Sequence, residues 1–258
     1  MPPSLAELQT LARQAGDILR SGYGQEHTIQ QKGVTDLVTE VDHRSEALII
    51  RTIRQAYPDH RILTEESGDL QGDADHCWYT DPLDGTLNYA HSLPLFCVSL
   101  AYAEGQQAVL GAVYDPMRDE MFSAEKGKGA WLNGQPIHVS ATPDLIHSLL
   151  ATGFPYDLWK SPLNNLEFFN HFTQRTQGVR RLGSAALDLC YVASGRLDGF
   201  WEIRLNAWDI AAGGLIVQEA GGVVSQLFGQ PHHLTPPVSV LAANPAIYPL
   251  MLDVLRLP

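Results

Sequence analysis

The chain has 258 residues, of which 45% are hydrophobic and 18% are charged, and its formal net charge is −12. This length and composition are typical of a globular protein with one large domain or two smaller ones. The acidic balance argues against general nucleic-acid binding, and an acidic protein that binds a phosphorylated substrate needs cations to offset the repulsion.

The three cysteines, Cys77, Cys97 and Cys190, are odd in number and form no Cys-x-x-Cys pair. This pattern favours free, buried thiols in a reducing compartment. The first residues lack the charged leader and apolar run of a signal peptide, and the sequence contains no run of about 18 apolar residues. We therefore expect a cytoplasmic protein that does not enter a membrane.

The chain begins with two helical patterns. Apolar residues recur at helical spacing after Ser4, and Glu7 stands three residues beyond it, as in a capping box. A second helix is predicted from the mid-40s to Tyr57, because Pro58 stops it.

Strand patterns follow. Residues 61–64 and 77–80 are short strand-like segments that run into acidic residues. Residues 95–103 and 108–114 are predicted to pair as a hairpin, and Asn133-Gly134 is the turn signal of another.

The second half alternates between the two patterns. Strands are predicted at 148–152, 179–182 and 198–202, and helices from Ser161-Pro162 to Gln177, at 184–194 and at 208–220, before two more strands and a final helix. The alternation predicts an α/β fold in which helix and sheet layers are stacked. We expect an N-terminal part, residues 1–145, and a C-terminal part, residues 146–258.

The most informative segment is Asp81-Pro-Leu-Asp-Gly-Thr-Leu-Asn, which follows a strand. In a tight turn the carboxylates of Asp81 and Asp84 can converge with the carbonyl of Leu83, which suits the oxygen coordination of Mg²⁺. The amides of Gly85 and Thr86 at a helix N-terminus would favour an anion. Asp-x-x-Asp alone, however, is also common in surface turns.

Weaker signals lie elsewhere. Glu65-Glu66 is explained equally by a solvated acidic loop, and Asp209 by a carboxylate in the first turn of a helix. Thr39 and Asp42 fit turn or cap residues. One Glu at the strand end near the aspartates would complete a metal cage.

The strings GVTDLVTEVD, LTEES, DPLDGTLNY, GKGAWLNG, LGSAALDL and WDIAAGGLIVQEAGG follow one another along the chain. Together they resemble the inositol monophosphatase family over about residues 5–255. The resemblance implies a sandwich of alternating helix and sheet layers. It also implies hydrolysis of a small phosphate monoester, foremost myo-inositol monophosphate, by water activated by up to three Mg²⁺ ions, with no phosphoenzyme.

The same resemblance implies the roles of individual residues. The metal ligands would be Glu65, Asp81, the carbonyl of Leu83, Asp84 and Asp209, with Asp81 shared between two ions. The catalytic residues would be Thr86 and Asp42, which help to activate the attacking water, and Glu65. The substrate-binding residues would be Gly85 and Thr86 at the phosphate, Gly183, Ser184 and Ala185 along the ring, Glu202 at a hydroxyl group, and Asp209. Lys32 corresponds to a basic residue near a mobile loop.

Two positions depart from the family pattern. Thr64 stands where glycine is common, and Ala207 where related bacterial sequences often carry proline. Neither is a candidate ligand, so loop geometry is affected more than chemistry.

Several readings stay open. Fructose-1,6-bisphosphatases, histidinol-phosphatases and nucleotide 3′-phosphatases of the superfamily share the metal motifs, so these motifs do not select a substrate. Glu202 and the GSAAL segment favour inositol monophosphate. A nucleotide 3′-phosphate is disfavoured, because the sequence shows no evident base-stacking pocket or basic cluster. A different class is a regulatory partner of the transcription machinery, and the intact ligand set argues against a loss of catalysis. The resemblance also implies a homodimer.

Overall fold

The computed structural model describes residues 2–25, 29–31, 37–155, 158–160, 164–231 and 233–257. The helices are α1 (Leu5–Gly22), α2 (Glu40–Ala56), α3 (Thr86–Ala90), α4 (Leu166–Thr173), α5 (Ala185–Ala193), α6 (Ala207–Glu219) and α7 (Tyr248–Leu255). The strands are β1 (Ile29–Gln31), β2 (Leu37–Thr39), β3 (His60–Thr64), β4 (Gly68–Leu70), β5 (Asp73–Asp84), β6 (Cys97–Glu104), β7 (Gln107–Asp115), β8 (Glu120–Glu125), β9 (Gly129–Leu132), β10 (Gln135–Pro136), β11 (Leu149–Thr152), β12 (Gly178–Arg180), β13 (Gly199–Leu205), β14 (Val223–Ser225) and β15 (Val238–Ala243).

The larger sheet has eight strands in the order β10-β9-β8-β7-β6-β5-β3-β4. Its neighbouring strands are antiparallel except β3 and β5, which are parallel. Because β3 and β5 run in one direction, the acidic residues at their carboxyl ends come to the same edge of the sheet. The short strands β1 and β2 form a separate antiparallel pair.

The smaller sheet has five strands in the order β12-β11-β13-β15-β14. Strand β11 is parallel to both of its neighbours, whereas β15 is antiparallel to β13 and β14. Because β11 and β13 are parallel, their carboxyl ends lie at the same edge of this sheet.

Helices separate and cover the two sheets. Helices α1 and α2 pack on one face of the larger sheet, and α5 and α6 contact its strands from the other side as well as strands of the smaller sheet. Helices α4 and α7 contact β12 and β15 of the smaller sheet. The predicted α/β sandwich of alternating helix and sheet layers is therefore confirmed.

The hydrophobic core lies between these layers. One buried cluster is centred on α5 and α6, a second lies between α1, α2 and the larger sheet, and a third lies between α7 and the smaller sheet. Small residues let α6 approach closely, because a Cβ on Gly111 of β7 would lie 3.1 Å from the carbonyl oxygen of Ala212. This close packing fixes the position of the N-terminus of α6, which belongs to the site described below.

Several sequence predictions are confirmed locally. Ser4 and Glu7 form the capping box of α1, and Asn133 and Gly134 both adopt positive φ in the turn between β9 and β10. The three cysteines are free and buried. None of the helices in the described residues is long and apolar enough to cross a membrane.

Two predictions need correction. The helix predicted from Ser161-Pro162 to Gln177 is shorter, since α4 spans only Leu166–Thr173, and Ser161-Pro162 lie outside the described residues. Asn165 sits before α4 in the left-handed region, φ 72°, where its buried amide group bonds to residues of the smaller sheet. The segment Asp81–Asp84 is not a turn after the strand but the irregular end of β5, where the register to β6 shifts.

Candidate active site

Elements from both sheets surround one cavity of about 130 Å³. Its walls come from the ends of β3, β5, β11 and β13 and from the starts of α3, α5 and α6. Acidic side chains dominate its lining: Glu65, Asp81, Asp84, Asp188, Glu202 and Asp209, against the two arginines Arg181 and Arg204. The candidate residues from both halves of the sequence therefore meet in one acidic cavity.

The end of β5 gives the cavity its densest set of oxygen atoms. The N–H of Leu83 donates to Oδ1 of Asp81 over 3.0 Å, which holds that carboxylate against its own backbone. Gly85 follows with φ 94°, and a Cβ there would lie 2.8 Å from the carbonyl oxygen of Leu95. Only glycine fits this position, and it starts α3 at Thr86, beside the two aspartates.

Thr86 and Asp42 are hydrogen-bonded. The Oγ1 of Thr86 lies 3.1 Å from Oδ1 of Asp42 and 2.9 Å from the carbonyl oxygen of Leu83. Asp42 is fully buried at the start of α2, where it accepts the N–H of Thr39 over 3.0 Å. Burial raises the pKa of Asp42, and the hydrogen bonds from Thr39 and Thr86 oppose part of that rise. The carboxyl group is thus a stronger proton acceptor than an exposed aspartate.

The N-terminus of α5 is bound to Asp84. Oδ2 of Asp84 accepts the hydroxyl of Ser184 over 2.6 Å and the N–H of Ala186 over 2.8 Å. Ser184 also caps α5, because its Oγ accepts the N–H of Leu187. Burial raises the pKa of Asp84, and these hydrogen bonds lower it in part. Ser184, predicted beside the substrate ring, therefore also holds a candidate metal ligand, together with the backbone of Ala186.

The remaining carboxylates repel one another. Burial raises the pKa of Asp81 well above its ordinary value, and the charges of the other cavity carboxylates raise it further. The same causes act on the pKa of Asp209, although the N–H of Asn206 donates to Asp209 over 2.7 Å and opposes them. Asp209 fits both interpretations of its position, because it lies in the first turn of α6 and also lines the cavity. In the described part of the chain, no positive charge is among the main causes that act on the pKa of Asp81 or Asp209.

The donor set fits Mg²⁺ in chemistry. Four carboxylates and the carbonyl of Leu83 offer only oxygen, the ligand atom that this ion prefers. Across the described parts of the chain, however, no three acidic, histidine or cysteine side chains are grouped closely enough to hold an ion as they stand. Binding a cation would have to draw these side chains together, and their repulsion opposes that until positive charge is present.

Glu202, on β13, also lines the cavity. A Cβ on Gly153 would lie only 2.0 Å from Oε1 of Glu202, so the carboxyl group rests against the bare backbone of that glycine. Burial raises the pKa of Glu202 to about 8, although the charge of Arg181 lowers it. Gly183 has φ 88° and lies against Arg181. A Cβ on Gly183 would be 2.7 Å from Nη1 of Arg181. The predicted ring-binding strip and Glu202 thus share one wall.

Known proteins match the chain along almost its whole length. The sequence profile described as the Inositol monophosphatase family matches residues 3–256. An inositol-1-monophosphatase of Synechocystis sp. is 50% identical over 91% of this chain and 82% of its own length. The Nus factor SuhB of Escherichia coli strain K12 is 44% identical over 99% of this chain and 97% of its own. The inositol monophosphatase structure from Anabaena (Nostoc) sp. has 41% identity and a TM-score of 0.87, covering 98% of this chain and 97% of that one.

The chain belongs to the inositol monophosphatase family. Membership supports a phosphatase with metal-dependent chemistry and confirms the resemblance drawn from the motifs. The names of the relatives differ, so the family does not by itself choose between the readings. Lys32, the basic residue that the resemblance puts near a mobile loop, lies outside the described residues.

Two buried acids of this family member escaped the sequence analysis. Glu46 on α2 is 4% exposed, and its Oε1 accepts the Thr64 hydroxyl over 2.7 Å and the N–H groups of Glu66 and Ser67 over 3.0 Å each. It therefore fixes the loop that carries Glu65. The sequence signal for Glu46 is a charged residue at a position where the helical pattern predicts a buried one. Asp188 on α5, which lines the cavity, had the same signal within an apolar helix.

Proposed function

We propose that this member of the inositol monophosphatase family hydrolyses myo-inositol monophosphate to inositol and phosphate in a Mg²⁺-dependent reaction. The observation that carries the proposal is that groups suited to each of these tasks meet in one cavity. Its lining includes the oxygen donors of β5, Asp209 and Glu202, and Thr86 of the same lining is hydrogen-bonded to Asp42. When bound, up to three Mg²⁺ ions would neutralise charge on the phosphate and activate water for attack.

The residues of the chain have separate tasks in this proposal. Glu65, Asp81, Asp84, Asp209 and the carbonyl of Leu83 are the proposed ligands. The amides of Gly85 and Thr86 hold the phosphate at the start of α3. The hydroxyl of Thr86 receives a proton from the attacking water as it passes its own proton to Oδ1 of Asp42. The raised pKa of Asp42 favours that transfer, because a stronger base accepts the proton more readily.

Other residues of the cavity would bind the leaving group. Glu202 accepts or donates a hydrogen bond at a ring hydroxyl, and Gly183, Ser184 and Ala185 line the ring. Glu202 supports a polyol leaving group, because a buried polar group that is satisfied only by the correct substrate disfavours analogues without the hydroxyl.

Phosphate release tests the proposal. The substrates are myo-inositol 1-phosphate, fructose 1,6-bisphosphate, histidinol phosphate and adenosine 3′,5′-bisphosphate, each with Mg²⁺ and with chelator. We expect Mg²⁺-dependent turnover that is fastest on the inositol phosphate. Faster turnover of another substrate would replace the inositol assignment with that sugar-like or nucleotide phosphatase activity and keep the metal chemistry.

A matched pair of variants isolates the cavity. Asp84→Asn should lower kcat/KM by at least about 100-fold, since altering even the groups behind a metal ligand costs 10- to 100-fold. Asp17→Asn makes the same charge change on the exposed surface of α1 and should match the wild type. Equal activity of the two variants would remove Asp84 from the metal site.

A second function is favoured by the relatives named Nus factor SuhB, at 44% identity over 99% of this chain. In that case the protein would be a regulatory partner of the transcription machinery, with or without catalysis. Affinity capture with the wild type and with Asp84→Asn separates the two functions. A stoichiometric partner retained by both proteins would establish the regulatory role, and its absence would leave catalysis alone.

Three further expectations concern the location, the oligomeric state and the domain boundary of the protein. We expect a cytoplasmic homodimer, which light scattering would detect as about twice the 28.4 kDa of one chain. We also keep the division into residues 1–145 and 146–258. Limited proteolysis near residue 145 would test that boundary.

A further inference from the structure

Asp188 is the one carboxylate among the six that line the cavity to which the proposed reaction gives no task. It lies in the first turn of α5 and only 1% of the residue is exposed. Its neighbours along α5 are apolar and buried. An acidic group in such a position requires an explanation, because burial of a carboxyl group without a partner is unfavourable.

Capping of α5 does not explain Asp188. The N–H of Ala186 donates to Asp84, and the N–H of Leu187 donates to the hydroxyl of Ser184. The N–H of Asp188 itself donates to the carbonyl oxygen of Ser184 over 3.0 Å. Other groups therefore satisfy these first amides of the helix, and the Asp188 side chain is not needed for them.

Internal pairing does not explain it either. Among the residues that the structure describes, Oδ1 of Asp188 is buried and has no hydrogen-bond partner. Asp188 also takes part in none of the salt bridges found in the described part of the chain. Natural proteins rarely leave such a group unsatisfied unless a ligand or water completes it.

The surroundings determine the form of the group. Burial raises the pKa of Asp188 well above its ordinary value, and the charges of Glu202 and Asp84 raise it further, while Arg181 lowers it. The raised pKa favours the protonated form of the carboxyl group, which carries an O–H. Glu202 lines the same cavity, so two carboxyl groups outside the proposed metal ligands meet there.

We propose that Asp188 is a second hydroxyl-binding residue, which acts together with Glu202 and selects phosphate monoesters of polyols with neighbouring hydroxyl groups. The inference rests on the proposed function and extends it. Glu202 binds one hydroxyl group and Asp188 binds the next. A leaving group without hydroxyls would leave the buried group unsatisfied.

Two substrates of the same ring size measure this role. Myo-inositol 1-phosphate carries the hydroxyl groups, and cyclohexyl phosphate lacks them. In Asp188→Ala, we expect the ratio of the two kcat/KM values to fall by about 10- to 100-fold, mainly through KM for the inositol phosphate, since one hydrogen bond is lost. Asp188→Asn should restore most of the ratio, because an amide also donates a hydrogen bond from this position.

The opposite outcomes are distinct. An equal loss on both substrates in Asp188→Ala, with an unchanged unfolding midpoint, would mean that Asp188 supports the metal site, and it would overturn the inference. An unchanged ratio would overturn it as well. Failure of Asp188→Asn to restore the ratio would mean that a hydrogen-bonding group at this position does not bind the ring, and it would overturn the inference too.

A binding experiment remains decisive if the wild type hydrolyses neither substrate, a result that would remove the proposed function. Calorimetry then measures binding of myo-inositol alone to the wild type, Asp188→Asn and Asp188→Ala. Binding that is lost only in Asp188→Ala supports the inference. Equal binding by all three proteins, or no binding by the wild type, overturns it.

Discussion

Glu46 supports the loop that carries Glu65, and replacing it with alanine tests how far the site depends on that support. Its Oε1 accepts three hydrogen bonds, from the Thr64 hydroxyl and from the amides of Glu66 and Ser67, and its Oε2 accepts the Ser67 hydroxyl over 2.7 Å. One carboxylate thus holds four donors of a short segment between β3 and β4.

The cost follows from those bonds. In Glu46→Ala, all four donors lose their acceptor, but water can reach Ser67, which is exposed, and in part Glu66, which is half-buried. The buried Thr64 hydroxyl is left unsatisfied, which costs about 1–3 kcal/mol. Together with the hydrogen bonds that water replaces only in part, this predicts a fall of about 2–4 kcal/mol in the free energy of unfolding. Glu46→Gln keeps an oxygen for three donors and turns its amide to the Ser67 hydroxyl, so a loss of about 1–2 kcal/mol is expected.

Urea unfolding and Mg²⁺-dependent activity measure the two consequences. Because Glu65 would lose its fixed position, half-maximal Mg²⁺ should rise by about 10- to 100-fold in Glu46→Ala and by less in Glu46→Gln. Glu167→Ala is the matched control, since it removes the same side chain from an exposed position of α4. If Glu46→Ala matched Glu167→Ala in both stability and Mg²⁺ response, the reasoning about the loop would be wrong.

Three further variants test other parts of the structure. Gly153→Ala should push the Glu202 carboxyl group away and lower kcat/KM on the inositol phosphate by about 10-fold. In a Glu202→Ala background the same substitution should cause no added loss, and it should change the unfolding midpoint little. Between pH 5 and pH 8 the folded, metal-free protein keeps a proton on Glu202 that the unfolded chain has released, so stability falls as pH rises. That fall in urea-unfolding free energy should be about 2–4 kcal/mol smaller in Glu202→Gln. The Arg61 hydrogen bonds lower the pKa of Asp69 in the folded protein, so this pair stabilises above about pH 4 and the gain is lost on acidification. Asp69→Asn should remove about 0.5–1 kcal/mol at pH 7 and nothing at pH 2 by the same assay.

Local signals in the sequence located most elements. Ser4 and Glu7 define the start of α1 within four residues of chain, and Asn133-Gly134 defines a two-residue turn by its backbone preference alone. These features depend on residues close in sequence, which is why their positions follow from the sequence.

The missed features depend on distant contacts. Asn165 starts α4 late because its side-chain amide donates to Thr152 and accepts the indole N–H of Trp201, and neither contact is visible in a helical pattern. Likewise, the end of β5 stays in the sheet because of its pairing with β6. Glu46 and Asp188 show the same limit, since a buried acid reveals its role only when its surroundings are known.

The candidate site depends on packing across the two sheets. Asp84 comes from the larger sheet, whereas Asp209 and Glu202 come from later elements of the smaller sheet and the helix between them. Their spacing is set where α5 and α6 meet, and there a Cβ on Gly213 would lie 2.7 Å from Cβ of Leu189. The small residues of α6 therefore determine how closely like-charged groups approach. Apolar packing behind the site offsets the repulsion within it. This packing involves no charged groups, so it stays the same when a cation enters or leaves.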